Sequence, residues 1–183
     1  RGVWAGGWTG AYSNVMDYVT IASTGNATDF GDLITAKYVV SGNISSETRG
    51  LFHGGNTGAD LTECDYITIA TTGNATDFGD ITATSRSAGV DNGIRGIMCG
   101  GGTTNVCEYV TIATTGNTTD FGDLTLGRYG LSGTSNHIRG CLNGGYSGGV
   151  VNTIDYITIA IIGNATDFGD LTVARNMTAS VSG

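Results

Sequence analysis

Apolar and polar residues alternate with a period of two in the most regular stretches of the chain. In residues 66–72, Ile67 and Ile69 point to one side and the residues between them point to the other. Successive side chains of a β-strand lie on opposite faces, so this period is typical of a strand. Gly73 and Asn74 follow directly, and both residue types tolerate the positive φ angles of a two-residue hairpin turn. The pattern therefore predicts a strand that ends in a tight turn.

Shorter stretches around this strand have the same character. We expect further strands over residues 49–53, 75–81 and 84–89, and no stretch has the 3.6-residue period of a helix. Glycine occupies 32 positions and proline none, a composition that favours short strands joined by glycine turns. The sequence thus predicts an all-β fold with four short strands in each unit.

This pattern occurs four times along the chain. Each copy contains Arg-Gly, three residues and Gly-Gly, then a strand with a tyrosine, a Gly-Asn turn, the sequence Asp-Phe-Gly-Asp and a single cation. Tandem units of this length usually stack on their neighbours to bury a shared core. The units 1–48, 49–94, 95–138 and 139–183 fill the chain, so we expect a single repeat domain over residues 1–183.

The charge of the chain limits its partners. The formal net charge is −8, and the chain has one lysine and seven arginines, without a basic stripe. We expect no nucleic-acid partner, because phosphate binding needs clustered Lys and Arg. No apolar run approaches the roughly 20 residues of a membrane-spanning helix, so we expect no membrane span. The sequence opens on Arg1 without a methionine, and we expect a processed chain, an excised domain or part of a longer one.

The repeat resembles kelch-type repeats over nearly the whole chain. Kelch units have a strand ending in Gly-Gly, a variable loop, a strand with Tyr, a later aromatic and then an Arg. The matching residues here are the Gly-Gly pairs, the tyrosines Tyr18, Tyr66, Tyr109 and Tyr156, the aromatics Phe30, Phe78, Phe121 and Phe168, and the cations Lys37, Arg86, Arg128 and Arg175. The chain departs from the kelch pattern in having Phe where Trp is usual, within an unusual Asp-Phe-Gly-Asp.

The resemblance implies a β-propeller of four kelch-like, four-stranded blades. Each unit as written would begin at the second strand of a blade. Residues 173–183 would then supply the innermost strand of the blade begun by residues 1–33, which closes the ring and removes free strand edges. The alternative is an open array, either a fragment of a longer repeat chain or a protomer that joins its neighbours into an eight-bladed ring or a filament.

The repeats are also similar, more loosely, to those of tail-fibre and other virion proteins of phages and large viruses. This second resemblance implies an extracellular or virion-associated protein. Such an appendage would bind protein or glycan and would be capable of self-assembly.

Two sets of residues recur in every unit, and we expect them to be structural. The first set is the arginines Arg1, Arg49, Arg95 and Arg139, and the second is the aspartates Asp29, Asp77, Asp120 and Asp167. An Arg–Asp pair in each unit would hold two strands together through bidentate contacts, and an anion-binding ring of arginines is the alternative. For Asp-Phe-Gly-Asp we expect turn chemistry in which Asp bonds the local backbone, with calcium binding as the alternative. We expect no metal and no cofactor.

The Gly-Asn turns and the cysteines each allow two interpretations. Asn26, Asn74, Asn117 and Asn164 lie in Asn-x-Thr sequons, which are glycosylation acceptors in a secreted chain, although asparagine after glycine also suits a tight turn. The four cysteines lack metal-site spacing. Cys99 and Cys107 flank one glycine turn and would be able to bridge a hairpin, but we favour small apolar fillers at strand positions.

The loops after the Gly-Gly pairs differ between units and should emerge on one face. We take the following loop residues as candidate ligand-binding positions: Trp8, Tyr12, Asn56, Asp60, Asn105, Tyr146 and Asn152. Aromatics among small polar residues suit sugar stacking and protein contacts alike. Loop variability without a binding role is the alternative.

Catalysis has little support in the sequence. The only histidines, His53 and His137, lie in different units at non-equivalent positions, and no catalytic motif is present. We expect a non-enzymatic structural or adhesive module, with a carbohydrate-active enzyme as the alternative and an intracellular kelch-like adaptor as a third. An asymmetric acid pair about 5–10 Å apart in a pocket would favour the enzyme.

Overall fold

The computed structural model describes residues 1–82 and 85–182, with the backbone alone at residues 42 and 43. These residues form fifteen β-strands and no helix, arranged as four antiparallel sheets of three or four strands. The predicted all-β fold is confirmed. The predicted strand over residues 84–89 is shifted, because the strand begins at Ala88; Thr84 lies outside the described residues.

Each sheet is a simple meander in chain order. Sheet 1 consists of β1 (Gly2–Ala5), β2 (Val15–Val19) and β3 (Thr28–Asp32). Sheet 2 consists of β4 (Ser41–Ser45), β5 (Arg49–His53), β6 (Glu63–Thr68) and β7 (Thr76–Asp80). Sheet 3 consists of β8 (Ala88–Asp91), β9 (Arg95–Cys99), β10 (Val106–Thr111) and β11 (Thr119–Asp123). Sheet 4 consists of β12 (Ser132–Ser135), β13 (Arg139–Asn143), β14 (Thr153–Thr158) and β15 (Thr166–Asp170).

Each of the first three repeat units contributes to two sheets. The unit 1–48 supplies all of sheet 1 and also β4, which pairs with β5 in sheet 2. In the same way β8 and β12 come from the unit before the one that builds the rest of their sheet. The strands β4, β8 and β12 lie beside one another, so they form the inner side of the stack of sheets.

The hydrophobic core lies between successive sheets. Met16, Phe30 and Leu33 of the first unit form one buried cluster with Ile67 of sheet 2, and Phe52 packs against it. The second and third clusters are built from equivalent positions of the repeat. Met98 and Val110 of sheet 3 pack against sheet 2, and Leu142 and Ile157 of sheet 4 pack against sheet 3. The repeat therefore encodes one interface that is used three times.

Glycine is required where the backbones of successive sheets approach each other. Gly31, Gly79 and Gly122 have φ angles of 137° to 138°, a backbone conformation that residues other than glycine rarely adopt. A Cβ atom on Gly79 would lie 2.5 Å from the carbonyl group of Gly116 in the next sheet. The glycine of Asp-Phe-Gly-Asp thus serves the contact between sheets.

The C-terminal residues do not complete sheet 1, so the predicted closure of that sheet is wrong. Among the described residues sheet 1 has three strands, and residues 173–182 contain none. Instead, Ser180 and Ser182 donate hydrogen bonds through Oγ to the carbonyl oxygens of Gly133 and Ser135 in β12. Within the described residues, Phe168 of sheet 4 and Trp4 and Ile21 of sheet 1 stay exposed, so these two sheets do not cover each other, and the C-terminal segment lies beside β12.

Candidate functional site

The variable loops after the Gly-Gly pairs lie at one end of the sheets, which we call the loop face. Three of them are tight turns closed by backbone bridges between Trp8 and Tyr12, Asn56 and Asp60, and Tyr146 and Val150. Contacts between neighbouring loops follow from the stacking of the sheets. The hairpins at residues 46–48, 92–94 and 136–138 lie at the opposite end, the turn face, because they precede the strands that end at the Gly-Gly pairs.

An aromatic cluster of Trp8, Tyr12 and Tyr38 dominates one part of the loop face. The rings of Trp8 and Tyr12 meet edge to face with 5.2 Å between their centroids, and Tyr12 stacks on Tyr38 at 5.6 Å. Trp8 and Tyr12 remain exposed, because the bridge between them closes a turn that projects from β1. Mutual packing holds these rings in fixed orientations while their outer faces are open to solvent.

The loop with Asn56 and Asp60 lies next to this cluster. The backbone of Tyr38 exchanges hydrogen bonds with that of Asn56, at 2.9 and 3.2 Å. Asn56 Nδ2 donates to Asp60 Oδ1 at 2.8 Å, and Ser85 Oγ donates to the same oxygen. These hydrogen bonds, led by that of Ser85, hold the pKa of Asp60 below its usual value. The structure therefore brings together four predicted ligand-binding residues, Trp8, Tyr12, Asn56 and Asp60.

A second aromatic group lies on the loop face at sheets 3 and 4. Tyr146, one of the predicted residues, packs on Tyr129 with 5.4 Å between ring centroids. The guanidinium group of Arg86 lies over Tyr129 at 5.4 Å, and Arg86 has a positive φ of 66°. Tyr38 and Tyr129 occupy equivalent places one residue after the cations Lys37 and Arg128. That repeated position is the sequence signal that the selection of loop residues missed.

The remaining predicted binding residues, Asn105 and Asn152, have a clear role in the backbone. Their carbonyl oxygens accept hydrogen bonds from the amides of Leu124 and Leu171, each at 2.7 Å. These bonds attach the end of the third strand of each unit to the loop. The main chain therefore explains why the variable loops end at these two residues, and ligand binding by their side chains stays a prediction.

The repeated arginines have different partners from those predicted. The guanidinium groups of Arg1, Arg49, Arg95 and Arg139 lie over the tyrosine of their own unit, 4.5 to 4.7 Å from the ring centroid. The first three also donate to a main-chain carbonyl in the next sheet, at 3.0 to 3.1 Å. Pairs with Asp29, Asp77, Asp120 or Asp167 are absent from the ion pairs of the described residues, because the tyrosine and the carbonyl take the guanidinium group.

The aspartates and asparagines of the repeat bond to the backbone. Asp77 and Asp167 accept the amide of the glycine two residues later, at 3.0 and 3.2 Å, which is the predicted turn chemistry. The side-chain oxygens of Asn74, Asn117 and Asn164 accept an amide of the preceding sheet, at 3.0 to 3.1 Å. These asparagines therefore join neighbouring sheets, and glycosylation at the sequons stays a prediction.

Two cations are fully buried between sheets, which the sequence analysis did not foresee. Lys37 Nζ lies 3.0 Å from Asp65 and 3.2 Å from Glu63, and Arg128 lies 2.9 Å from Asp155. Burial raises the pKa of Asp65, and Lys37 opposes that shift. The signal was present in the repeat, because each unit has one cation downstream and one acid at the start of its tyrosine strand.

Cys99 and Cys107 form a disulfide, so the interpretation as apolar fillers is wrong for this pair. They lie directly opposite each other in β9 and β10, with their Cα atoms 4.1 Å apart. Facing positions of antiparallel strands bring the two side chains close enough to bridge. Cys64 and Cys141 are free thiols, and burial raises the pKa of Cys64 to about 12.

A cavity of about 530 Å³ opens on the turn face. Glu47, Asp91 and His137 line it from three units. Glu47 and His137 lie at equivalent positions, two residues before the first arginine of the next unit, and Asp91 lies four residues before it. The Asp91 carboxylate accepts the amides of Ser45 and Gly93, each at 2.9 Å, and burial raises its pKa. Within the described part of the chain, no three His, Cys, Asp or Glu side chains cluster as metal ligands. Nor do residues 1–82 and 85–182 contain a helix long and apolar enough to span a membrane.

Similarity to known proteins adds no identification to this geometry. Neither a protein-family model nor a curated protein matches the sequence.

Proposed function

We propose that the four sheets are blades of a kelch-like β-propeller and that the chain is a non-enzymatic structural or adhesive module. In this proposal it acts outside the cell or on a virion and binds glycan or protein through the loops after the Gly-Gly pairs. The observation that carries the proposal is the mutually packed cluster of Trp8, Tyr12 and Tyr38 on the loop face, in which Trp8 and Tyr12 are exposed.

The arrangement of the sheets supports a propeller-like architecture. Propeller blades are four-stranded meanders whose innermost strands surround an axis. Here β4, β8 and β12 lie beside one another, and a cavity of about 310 Å³ is lined by residues of these strands and by residues 178–180. Consecutive sheets pack face to face through a shared core, as blades do.

The chemistry of the loop face favours a glycan over a protein as the first ligand to test. Sugar rings present patches of C–H groups that stack on aromatic faces, and their hydroxyl groups pair with amides and carboxylates. The ring faces of Trp8 and Tyr12 lie beside Asn56 and Asp60, which supply both kinds of polar group. The disulfide between Cys99 and Cys107 supports an oxidising, extracellular setting.

A glycan array followed by NMR titration of the best ligand tests the proposal. We expect Trp8→Ala and Tyr12→Ala to weaken binding about tenfold or more, because aromatic contacts carry a large share of binding energy in such sites. Ile94→Ala is the matched control, since Ile94 is an exposed apolar residue on the turn face. Unchanged glycan binding by both aromatic variants would show that the loop face is not the ligand site. Binding of a protein without binding of any glycan would show that the ligand is a protein.

A carbohydrate-active enzyme remains the second candidate, and one observation favours it. Glu47 and Asp91 are acids of non-equivalent positions that line the same cavity. An active site needs such asymmetry, although two backbone amides already occupy the Asp91 carboxylate. Hydrolysis of aryl glycosides that Glu47→Gln and Asp91→Asn both abolish would establish the enzyme; no turnover by the wild-type chain would dismiss it.

A further inference from the structure

The three contacts between successive sheets repeat the same set of bonds. The amides of Gly73, Gly116 and Gly163 donate to the carbonyl oxygens of Phe30, Phe78 and Phe121 in the preceding sheet, at 2.7 to 2.8 Å. The asparagine after each glycine accepts an amide of the same preceding strand. Each contact therefore joins a tail half, the Asp-Phe-Gly-Asp strand of one sheet, to a head half, the Gly-Asn turn of the next.

No sheet among the described residues packs on the tail half of sheet 4, and we call this surface the tail face. Phe168 is 56% exposed, whereas Phe30, Phe78 and Phe121 are buried. Gly169 has the same backbone conformation as its equivalents, with φ 135°, but a Cβ atom there would meet nothing within 4 Å. Arg175 is exposed, although its equivalents Lys37 and Arg128 are fully buried in ion pairs.

The head half of sheet 1 is also open, and we call this surface the head face. Trp4 is 59% exposed and Ile21 is 76% exposed. The equivalents of these residues in sheets 3 and 4 are buried in the intersheet clusters; they are Met98 and Leu142 for Trp4, and Ile112 and Ile159 for Ile21. Asp17 is exposed, whereas its equivalents Asp65 and Asp155 are buried beside Lys37 and Arg128.

The charged groups on the tail face and the head face are the same kinds of groups that pair at the contacts between successive sheets. Two of the three internal contacts pair the cation of one unit with the acid of the next, Lys37 with Asp65 and Arg128 with Asp155. The corresponding pair between copies is Arg175 of one with Asp17 of another. The internal pattern also directs the first arginine of a unit to a carbonyl of the next sheet, as Arg95 bonds to Ile159. Arg139 is the fourth member of that series and donates to no such carbonyl among the described residues.

Sheet 1 has three strands among the described residues, and residues 178–182 at the other end of the chain lie beside β12 without forming a strand. A cavity of about 200 Å³ beside β1 is lined by Val3, Ile44, Gly50 and Ile67 among others. In the next two sheets the corresponding space over Gly96 and Gly140 is filled by Ile44 and Val90 of the inner strands. The cavity therefore lacks one apolar side chain from an inner strand.

Val181 has the position and the exposure of that missing side chain. Its neighbours Ser180 and Ser182 bond to Gly133 and Ser135, which places Val181 beside Thr134. Thr134 pairs with Cys141 as Val90 pairs with Ile97. Val181 is 94% exposed. An inner strand formed by residues 178–182 would present Val181 opposite Val3.

We propose that a second copy of this chain docks head to tail. The tail face of one copy packs on the head face of the next, and residues 178–182 of the first pair with β1 of the second as its fourth strand. Val181 then fills the cavity beside β1, and Arg175 pairs with Asp17. A contact between two different surfaces of one chain builds a ring if the rotation closes and a filament if it does not.

The proposed contact continues an interface that the chain already forms three times. The occupant is a second copy, because the two open faces are the two halves of that interface, and within the described residues Phe168 of sheet 4 and Trp4 and Ile21 of sheet 1 stay exposed. The proposal does not depend on ligand binding at the loop face, so the failure of one leaves the other standing.

The test is the dependence of molar mass on concentration, measured by light scattering and sedimentation of the purified chain. We expect the wild type to associate and Asp17→Arg, Arg175→Asp and Val181→Asp each to weaken association about tenfold or more. All three residues are exposed in the single copy, so folding should survive. Ile94→Asp, on the turn face, is the matched control and should associate like the wild type.

Charge-reversal variants show whether the tail face of one copy meets the head face of another. A mixture of Asp17→Arg and Arg175→Asp should assemble in alternation, because the tail of each variant then meets a head of opposite charge, and the double variant should assemble by itself for the same reason. A wild-type chain that remains monomeric at millimolar concentration would overturn the proposal. Association that is insensitive to all three substitutions, or that the mixture fails to restore, would overturn it as well.

Discussion

At the scale of single residues, buried charges define the contacts between sheets. Lys37 is completely enclosed between Glu63 and Asp65, and Arg128 is enclosed beside Asp155. Taking an ion out of water costs several kcal/mol, so such a pair is tolerated only with good geometry and additional bonds. Arg128 meets this condition by also donating to the carbonyl oxygens of Leu126 and Leu142. These pairs fix the register of one sheet on the next.

Replacing Lys37 by methionine should strongly destabilise the fold. The substitution leaves Asp65 buried without its cation, and breaking a buried pair in this way costs about 3–5 kcal/mol. Arg175→Met is the control, because the equivalent cation of the last unit is exposed. Urea unfolding followed by circular dichroism measures both free energies of unfolding. Equal losses for the two variants would contradict a special role for the buried position.

Asp60 makes the loop face sensitive to acid. Its pKa lies below the usual value, mainly because Ser85 and Asn56 donate hydrogen bonds to the carboxylate. A lowered pKa in the folded state means that the stabilisation is present above the ordinary carboxyl pKa and is lost as the pH falls through the folded value. Carbon-detected NMR should show that the Asp60 carboxyl group titrates at a lower pH than the carboxyl group of an exposed aspartate. Asp60→Asn should abolish the accompanying shift changes at Asn56 and Ser85, and their persistence would contradict this assignment.

At the scale of strands and turns, the glycines of Asp-Phe-Gly-Asp have one conformation and two environments. Gly79 and Gly169 share nearly the same φ, 138° and 135°, but only Gly79 lies against the next sheet. Comparing the same substitution at the two positions therefore separates the effect of the intersheet contact from the effect of backbone strain.

Gly79→Ala should be more destabilising than Gly169→Ala by about 1–3 kcal/mol, the usual cost of overpacking a close contact. Both substitutions impose the same conformational strain, and only the first places a methyl group against the Gly116 carbonyl. Thermal and chemical unfolding of the two variants in dilute solution, where the tail face is free, measures the difference. Identical stabilities would show that the sheets do not approach as closely as described.

The strands were predictable from the sequence because their signal is local. Alternation around Ile67 identifies one strand without any tertiary information. Its predicted end at a two-residue Gly73-Asn74 hairpin is wrong, because the strand ends at Thr68 and the connection spans residues 69–75. The partners of Arg49 and Lys37 were not predictable in the same way, since they depend on which residues of the next sheet face them. The disulfide required the register of β9 on β10. On the loop face, Trp8 and Tyr12 were found from composition, whereas Tyr38 joins them only through the stacking of sheets.

At the scale of the whole molecule, the chain is a short stack of sheets with two unlike ends. Repeat architectures bury a continuous core between neighbours, and their terminal units usually carry polar outer faces. This chain instead exposes Phe168 at one end and Trp4 and Ile21 at the other. Exposed apolar surfaces that match each other are typical of an association surface. The same contact therefore accounts for both the fold and the proposed assembly.

Hydrogen–deuterium exchange of β1 over a range of concentrations tests the head-to-tail account most directly. The amides of Val3 and Ala5 should exchange quickly in dilute solution and become protected as the concentration rises, together with residues 178–182. Amides of the loop face should not change. Protection of β1 that is complete in a dilute monomer would mean that the chain closes on itself, and β1 that stays unprotected at every concentration would mean that the two faces do not bind each other. Either result would contradict the account.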